Sequence, residues 1–363
     1  MIGTRPEAIK LEPVARALAA LGCEPLLIFT GQQRIDPADF RLERYPRLHL
    51  DCPGLPDPHM HVRKVTAALL PTFADVPDLV IVQGDTSSAL GGSLAAYTAE
   101  VPIAHVEAGL RTHDPARPWP EEEYRVAIDL QADLLFAPTE GAARNLEAEG
   151  VSGEIFVTGN SGIDALVAIE ARLPPRTLHE SGTRKLLVTC HRRESWAHGL
   201  KSIATALLQL AEEPNVRIDV LLHPNEHVAT SMRELLGGNE NIGLVPPCGY
   251  AEVVARMREA DLILSDSGGM QEEAPALGTP LLVLREVTER PEAIASGNAL
   301  LVGTCSEEIV RIAKRLLDDP GELGGMAKRA LPFGDGHSGP RIAAIVKDWL
   351  ERRHPQRYRA AAL

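Results

Sequence analysis

The sequence has few cysteines and no long apolar run. Its five cysteines are odd in number and widely spaced, without the C-x-x-C spacing of many zinc and redox sites. This pattern predicts neither a disulfide framework nor a zinc site, and it fits a reduced cytoplasm. No stretch approaches the roughly 18 apolar residues of a membrane span, and the N-terminus lacks a basic-then-apolar secretion signal. We therefore expect a protein that is neither anchored nor exported.

An excess of positive charge is also absent. The formal net charge is −13, from 37 Lys and Arg against 50 Asp and Glu, which argues against non-specific binding to nucleic acids or anionic membranes. A local basic pocket for a small anion is compatible with that balance. With 363 residues, 44% of them hydrophobic and 24% charged, the chain is predicted to form two globular domains with a cleft between them.

Short apolar runs alternate with helical patterns, which predicts parallel sheets with helices on both faces. The predicted strands are Leu26–Phe29, Leu79–Val82, Ile103–Val106, Leu134–Phe136, Leu186–Thr189, Ile218–Leu222, Leu262–Leu264 and Leu281–Leu284. The Pro174-Pro175 stretch divides them into two sets. We predict an α/β protein of two Rossmann-like, doubly wound parallel-sheet domains facing across a cleft, 1–168 and 169–340. An amphipathic helix within 341–363 is expected to pack back on the first domain.

One contiguous segment reads SDSGGMQEEAPALGTPLLVLREVTERPE, in the order strand, glycine pair, helix, strand and arginine-bearing turn. Ser267, Gly268 and Gly269 open the helix, where a hydroxyl and unobstructed amides can bind phosphate oxygens. Glu273 is placed to accept hydrogen bonds from both ribose hydroxyls, and Arg290 to bind phosphates. A glycine-rich turn followed by a solvated acidic helix face is the alternative interpretation. The whole segment predicts a site for a nucleoside diphosphate.

Polar residues follow three other predicted strands, at the edge where open α/β sheets bind ligands. Asp85 stands in QGDTSSA, Glu107 in HVEAGLRT and His191 in VTCHRRES. An aspartate after a strand is more often a helix N-cap than a catalyst, so Asp85 is open to both interpretations. The loop that begins at Glu107 runs on for over a dozen residues, which favours a functional loop. A reactive cluster is therefore predicted at these strand ends.

The long loop ends in PWPEEEYR, which opens a predicted helix. Glu121 can act as an acid or merely complement the helix dipole, and Arg125 can bind ligand or only pair with Glu121. Arg5 and Lys10 in GTRPEAIK add positive charge at a strand end of the same domain. No metal-ligand spacing occurs. Carboxylates opposite a diphosphate without a metal predict acid–base chemistry on the group attached to the nucleotide.

Eight ordered blocks between Gly3 and about Gly336 together resemble the non-hydrolysing UDP-N-acetylglucosamine 2-epimerases. They are GTRPEAIK, GDTSSAL, HVEAGLRT, PWPEEEYR, TGNSGIDAL, VTCHRRES, SDSGGMQEEAP and TERPEA. The resemblance implies a two-domain fold like that of the GT-B glycosyltransferases and a cytoplasmic homodimer. It also implies interconversion of UDP-GlcNAc and UDP-ManNAc for surface polysaccharides, with no metal or organic cofactor.

Motif position also assigns individual residues. The resemblance implies the catalytic residues Asp85, Glu107, Glu121, Arg125 and His191, and the UDP-binding residues Arg5, Lys10, Ser267, Gly268, Gly269, Glu273 and Arg290. Anti elimination of UDP would give 2-acetamidoglucal, and re-addition with the proton on the opposite face would invert C2. Asp85 and Glu121 are expected to transfer protons, and Glu107 to transfer protons or bind the sugar. His191 is expected to act on the leaving diphosphate.

Four alternatives stay open. The chain could be a 2-epimerase of a diacetamido uronic acid nucleotide, a hydrolysing form that releases ManNAc, or a glycosyltransferase of the same fold. The fourth is a catalytically silent nucleotide-sugar sensor. A sensor, however, has no need of Asp85, Glu107, Glu121 and His191 together.

Overall fold

The computed structural model describes residues 1–74, 76–175, 182–190 and 199–353. The chain forms two compact α/β units. Unit 1 comprises Met1–Val167 together with the chain from Phe333 onward, and unit 2 comprises Ala168–Pro332. Parallel sheets in both units confirm the predicted fold class. No helix among the described residues is long and apolar enough to span a membrane.

The strand pairs recorded in both units are parallel, as crossover connections through helices require. The strands of unit 1 are β1 (Leu27–Phe29), β2 (Arg47–His49), β3 (Val80–Gln83), β4 (Ile103–Val106), β5 (Leu134–Ala137) and β6 (Glu154–Val157). Those of unit 2 are β7 (Arg184–Thr189), β8 (Val216–Leu221), β9 (Ile242–Val245), β10 (Leu262–Ser265), β11 (Leu281–Val283) and β12 (Ala299–Leu301). The sheet orders are β1-β2, β3-β4-β5-β6 and β12-β11-β10-β7-β8-β9.

Helices cover the sheets and begin at polar caps in several places. In the first half of the chain they are α1 (Arg5–Ala20), α2 (Pro58–Leu69), α3 (Ser87–Thr98), α4 (Glu121–Gln131), α5 (Glu140–Glu149) and α6 (Ser161–Glu170). The later ones are α7 (Gly199–Leu210), α8 (Glu226–Leu236), α9 (Tyr250–Glu259), α10 (Gly268–Leu277), α11 (Pro291–Ala295), α12 (Ser306–Asp318), α13 (Pro320–Met326) and α14 (Ser338–Arg353). Short 3₁₀ turns span Pro37–Phe40 and Leu70–Ala74.

The central strands match the sequence prediction best. The predicted Ile103–Val106 has the bounds of β4, and each other predicted strand lies within two residues of an observed one. Four strands were not predicted: β2, β6, β9 and β12. Each of the four is an edge strand with partly exposed residues, so it lacks the continuous apolar run of a strand buried on both faces.

The last helix belongs to unit 1, to which the chain returns at Phe333. The predicted second domain extended instead to residue 340; the Phe333 carbonyl accepts a 2.7 Å hydrogen bond from the Asn160 amide, which ties this stretch to unit 1. Asp164 of α6 caps α14, because its carboxylate accepts from the amides of Ser338 (3.0 Å) and Gly339 (2.8 Å). Apolar residues of α14 pack in one core cluster with α1.

Candidate functional site

Glu107 lies directly after β4 with a φ of 74°, in the left-handed region that non-glycine residues seldom adopt. Its carboxylate is buried and accepts hydrogen bonds from three parts of unit 1. Oε1 accepts from Lys10 Nζ at 2.5 Å and from Asn160 Nδ2 at 3.2 Å, and Oε2 accepts from Gln83 Nε2. Such a backbone costs of order 1–3 kcal/mol and persists where the surroundings fix it, often at functional sites.

Asp85 follows β3, next to the strand that carries Glu107, and pairs with Arg125 of α4. Arg125 Nε donates to Asp85 Oδ2 at 3.0 Å, Nη2 donates to the same oxygen, and Nη1 donates to Glu122 Oε2 at 2.9 Å. The N-cap of α3 is Thr86, whose Oγ1 accepts from the Ala89 amide at 3.0 Å. The N-cap interpretation of Asp85 is therefore wrong, because its neighbour performs that role.

Helix α4 is tied to the loop that precedes it. Residues 107–120 form neither helix nor strand, as predicted. Glu122 Oε1 accepts from the amides of Thr112 (2.8 Å) and His113 (2.9 Å), so this glutamate orders the loop. Glu121 opens the helix, four residues before Arg125 and on the same helix face.

A second set of polar and charged side chains lies behind these loops, and three of them, His105, Arg111 and Asp129, are buried. His105 Nδ1 is 2.6 Å from Asp129 Oδ1, and His105 Nε2 is 2.9 Å from the Gly84 carbonyl. Arg111 Nη2 lies 2.8 Å from Asp129 Oδ2 and 2.6 Å from Glu149 Oε2. Burial alone would raise the pKa of Asp129, but His105 and Arg111 hold that pKa below its usual value.

The first residues of α1 join this edge of the sheet. The Arg5 guanidinium lies over the Phe40 ring, 5.9 Å from its centroid. Glu7 is buried, which raises its pKa, and its carboxylate accepts from the Thr4 amide at 2.7 Å and from Thr86 Oγ1. Glu7 thus links the start of α1 to the cap of α3.

In unit 2 the glycine-led helix forms as predicted. Ser267 occupies the N-cap position of α10, and its amide donates to Ser265 Oγ at 3.0 Å. A Cβ added to Gly268 would lie 2.7 Å from Arg290 Nη1, whereas one added to Gly269 would meet nothing closer than 3.9 Å. Gly268 is therefore required if the guanidinium is to lie against the helix start.

The acidic residues of α10 are buried, so the interpretation as a solvated acidic face is wrong. Glu272 Oε1 accepts from Arg290 Nε at 2.6 Å, and Glu289 accepts from Arg290 Nη1. Glu273 Oε1 accepts from the Tyr250 hydroxyl at 2.6 Å, and burial together with Glu273 raises the pKa of Tyr250 well above its ordinary value. Arg290, predicted as a fork for phosphates, thus lies between two carboxylates.

The structure brings the predicted residues together within each unit. Unit 1 joins Lys10 to Glu107 and Arg125 to Asp85, and unit 2 joins Arg290 to the start of α10. His191 lies outside the described residues. Within the described ranges, no group of three or more His, Cys, Asp or Glu side chains is arranged to hold a metal ion.

Several polar residues in or behind these sites were missed by sequence reasoning. They are Gln83, His105, Asp129, Asn160, Glu272 and Glu289. Asp129 had a usable signal, since it continues the four-residue spacing from Glu121 through Arg125 on one helix face. The other contacts depend on strand register and loop positions that no local pattern reveals.

A family model described as UDP-N-acetylglucosamine 2-epimerase matches residues 20–347. The chain belongs to that family. A Salmonella typhimurium protein named UDP-N-acetylglucosamine 2-epimerase is 41% identical over an alignment 370 positions long. The alignment covers 96% of this chain and 98% of that protein. Family membership confirms the resemblance carried by the eight motif blocks.

Solved structures agree with this membership. The crystal structure of the Neisseria meningitidis UDP-GlcNAc 2-epimerase bound to UDP-GlcNAc is 34% identical, with a TM-score of 0.90 over 96% of this chain and 98% of that one. A spinosyn rhamnosyltransferase, 16% identical with a TM-score of 0.54 over 96% and 98% of the two chains, shares the fold alone. The GT-B-like fold class is thereby confirmed.

Proposed function

We propose that this chain interconverts UDP-GlcNAc and UDP-ManNAc by inverting the configuration at C2 of the sugar. Its family membership and its similarity to named 2-epimerases over 96% of its length support the proposal. The observation that carries it is a pair of carboxylates after adjacent parallel strands, Asp85 and Glu107, each held by a cation from another element. A protein that only bound the nucleotide sugar would not need these two carboxylates together with Glu121.

The proposed reaction begins with an anti elimination. A base removes the C2 proton while the C1–O bond breaks, and UDP leaves with the bonding electron pair. The product is 2-acetamidoglucal beside UDP. Return of the UDP oxygen to C1, with a proton delivered to the opposite face of C2, gives the epimer. The UDP oxygen returns to C1, and C2 gains one proton for the one it lost, so the balance needs no oxidant or reductant.

Acid–base groups are then needed on both faces of one sugar. We assign proton transfer to Asp85 and Glu121, and sugar binding or proton transfer to Glu107. Arg125 fixes the position of Asp85 through two donors to one oxygen. Lys10 fixes Glu107 through one donor to Oε1.

In unit 2 we assign UDP to the start of α10, where Ser267, Gly268 and Gly269 present a hydroxyl and amides at a helix N-terminus. Glu273 is assigned to the ribose and Arg290 to the phosphates. His191 is assigned to the leaving diphosphate, and Arg5 to the same ligand. The protein is further proposed to be a cytoplasmic homodimer that serves surface polysaccharide synthesis without a metal or organic cofactor.

Proton NMR of the protein with UDP-GlcNAc in deuterated water, with EDTA present, tests this function. We expect UDP-ManNAc to form and deuterium to enter C2. Glu121→Gln should lower kcat by about 10²–10⁴-fold, the usual contribution of a general acid or base. Glu123→Gln is the matched control, since Glu123 is an exposed glutamate of the same helix turn, and it should keep wild-type turnover.

Several outcomes would reject the proposal. Free ManNAc with stoichiometric UDP would identify a hydrolysing form, and turnover of only a diacetamido uronate nucleotide would identify another substrate. Binding of UDP-GlcNAc without any exchange at C2 would identify a sensor. Full exchange at C2 in Asp85→Asn would remove Asp85 from the mechanism. Sedimentation of a monomer would reject the homodimer.

A further inference from the structure

His105 lies within β4, and its side chain is wholly buried, which is uncommon for an imidazole. Residues alternate between the two faces of a strand, and Ile103, on the same face, packs in the core cluster that contains the apolar side of α4. The ring reaches 2.6 Å to Asp129 Oδ1 of that helix and 2.9 Å to the Gly84 carbonyl. His105 therefore connects α4 with the turn that leads into Asp85.

Both ring nitrogens of His105 face acceptors. The Gly84 carbonyl can only accept, so Nε2 carries a hydrogen. Asp129 Oδ2 also accepts from the Gly109 amide at 3.1 Å and lies 2.8 Å from Arg111 Nη2, which is the environment of an ionised carboxylate. Nδ1 faces this carboxylate, so both ring nitrogens are held by groups on separate elements and the orientation of the ring is fixed.

Helix α4 carries three polar side chains on one face, because Glu121, Arg125 and Asp129 are spaced by four residues. Arg125 Nε reaches Asp85 after β3 at 3.0 Å. Asp129, one turn deeper, reaches the amide of Gly109 in the loop after β4 at 3.1 Å. One face of one helix thus fastens both loops that bear candidate carboxylates.

We propose that His105 and Asp129 are positioning residues that clamp the loops after β3 and β4 to helix α4. The clamp fixes the relative positions of the three carboxylates assigned to the sugar. This inference rests on the proposed function. Because a misplacement of about 1 Å costs on the order of 10²-fold in rate, loosening the clamp lowers kcat. UDP affinity, assigned to unit 2, does not change.

Stabilisation of the fold alone is the competing explanation, since breaking a buried ion pair also destabilises the folded state. Asp133 offers a matched control. It follows α4 four residues after Asp129, and its Oδ2 accepts from the Ile103 amide at 2.9 Å. It therefore anchors β4 at the opposite end of the strand, away from the carboxylate loops.

The test compares His105→Gln, Asp129→Asn and Asp133→Asn in the full-length chain. Thermal midpoint, UDP affinity by calorimetry, and kcat and KM for UDP-GlcNAc are measured for each. In His105→Gln and Asp129→Asn, kcat should fall about 100-fold or more while KM and UDP affinity stay within about threefold. The double variant should lose no more than the worse single variant, because the two residues act as one unit. Asp133→Asn should keep kcat within about threefold, whatever its midpoint.

Wild-type kcat in His105→Gln overturns the clamp, and so does an equal loss of kcat in Asp133→Asn at the same midpoint. A wild-type protein that leaves UDP-GlcNAc unchanged would sink the proposed function instead. Amide hydrogen exchange then tests the clamp independently of any catalytic activity. The amides of Gly84 and Gly109 should exchange faster in His105→Gln than in Asp133→Asn, and equal rates would reject it.

Discussion

The two units build their candidate sites in different ways. In unit 1 the paired groups are far apart in the chain: Lys10 and Glu107 are separated by 97 positions, and Asp85 and Arg125 by 40. In unit 2 Arg290 meets Glu272 across 18 positions. The acid–base site therefore depends on the tertiary fold, whereas the diphosphate site is largely encoded in one contiguous segment.

The ion pairs of the two units are also distributed differently. Glu107 and Asp85 each have their cation on a different element, so a single substitution separates either acid from its counter-charge. Unit 2 instead holds a compact set in which Arg285 and Arg290 share Glu289, and Arg290 also meets Glu272. The formal charges of these four side chains sum to zero, so the binding of an anion there depends mainly on the amides at the helix start.

The largest effect should come from breaking the Lys10–Glu107 pair. Lys10→Met removes the ammonium beside a buried carboxylate, which should cost about 3–5 kcal/mol of unfolding free energy and abolish detectable turnover. Lys10→Met/Glu107→Gln should regain much of that stability, because no buried charge loses its counter-charge. It should stay inactive, because the acid is gone. Urea unfolding and the NMR assay measure the two quantities separately.

Within unit 2, Glu272→Gln is the counterpart of that substitution, since Arg290 keeps its contact with Glu289. It should cost less unfolding free energy than Lys10→Met. An equal or greater cost would contradict the view that unit 1 depends more heavily on single ion pairs. A double variant of Lys10 and Glu107 no more stable than Lys10→Met would contradict the buried-charge argument itself.

A smaller effect is expected from Gly268→Ala in unit 2. The new Cβ would lie 2.7 Å from Arg290 Nη1, so the guanidinium must leave the helix start. We expect UDP affinity to weaken about tenfold, close to 1.4 kcal/mol, as measured by calorimetry. The folded state should also lose some stability, because the displaced guanidinium moves away from the buried carboxylates of Glu272 and Glu289.

Gly325→Ala is the matched control for that substitution. Gly325 lies in α13 of the same unit, and a Cβ there would meet nothing within 4 Å. UDP should bind this variant as it binds the wild type. Unaltered UDP affinity in Gly268→Ala would show that the position of Arg290 does not matter for the nucleotide.

The same contrast explains what could be predicted from the sequence. β4 was predicted with its bounds because three of its four residues are apolar, as burial on both faces favours, with His105 as the exception. The strand, the glycine pair and the helix around Ser267 are contiguous in the sequence, so the helix start could be predicted without knowing which side chains contact it. The edge strands β2, β6, β9 and β12 have mixed patterns, and sequence periodicity does not distinguish them from loops.

The partners of Glu107 illustrate the limit. Gln83 reaches it because β3 and β4 pair in register, with Gln83 beside Val106, and Asn160 reaches it from the loop before α6. Neither contact has a signature within a window of a few residues. The left-handed backbone of Glu107 is equally invisible, because glutamate is not a residue type that favours it.

The smallest effect concerns His61 of α2, a buried histidine of unit 1. Its Nδ1 lies 2.6 Å from Ser87 Oγ and its Nε2 lies 2.9 Å from the Cys52 carbonyl. Burial lowers the pKa of His61 below the ordinary 6.5, so the unfolded chain takes up its proton at a higher pH than the folded chain does. Its contribution to stability is complete above that value and is lost as the pH falls below it.

Wild-type unfolding free energy should therefore fall more steeply than that of His61→Gln between pH 7 and 5, by at most about 1.4 kcal/mol per pH unit. Urea unfolding across that range measures the slope, and a lower absolute stability of the variant does not affect the comparison. His227→Gln, which alters an exposed histidine of unit 2, should keep the wild-type slope, since that side chain meets water in both states. Parallel curves for wild type and His61→Gln would mean that the folded protein binds this proton as readily as the unfolded chain does.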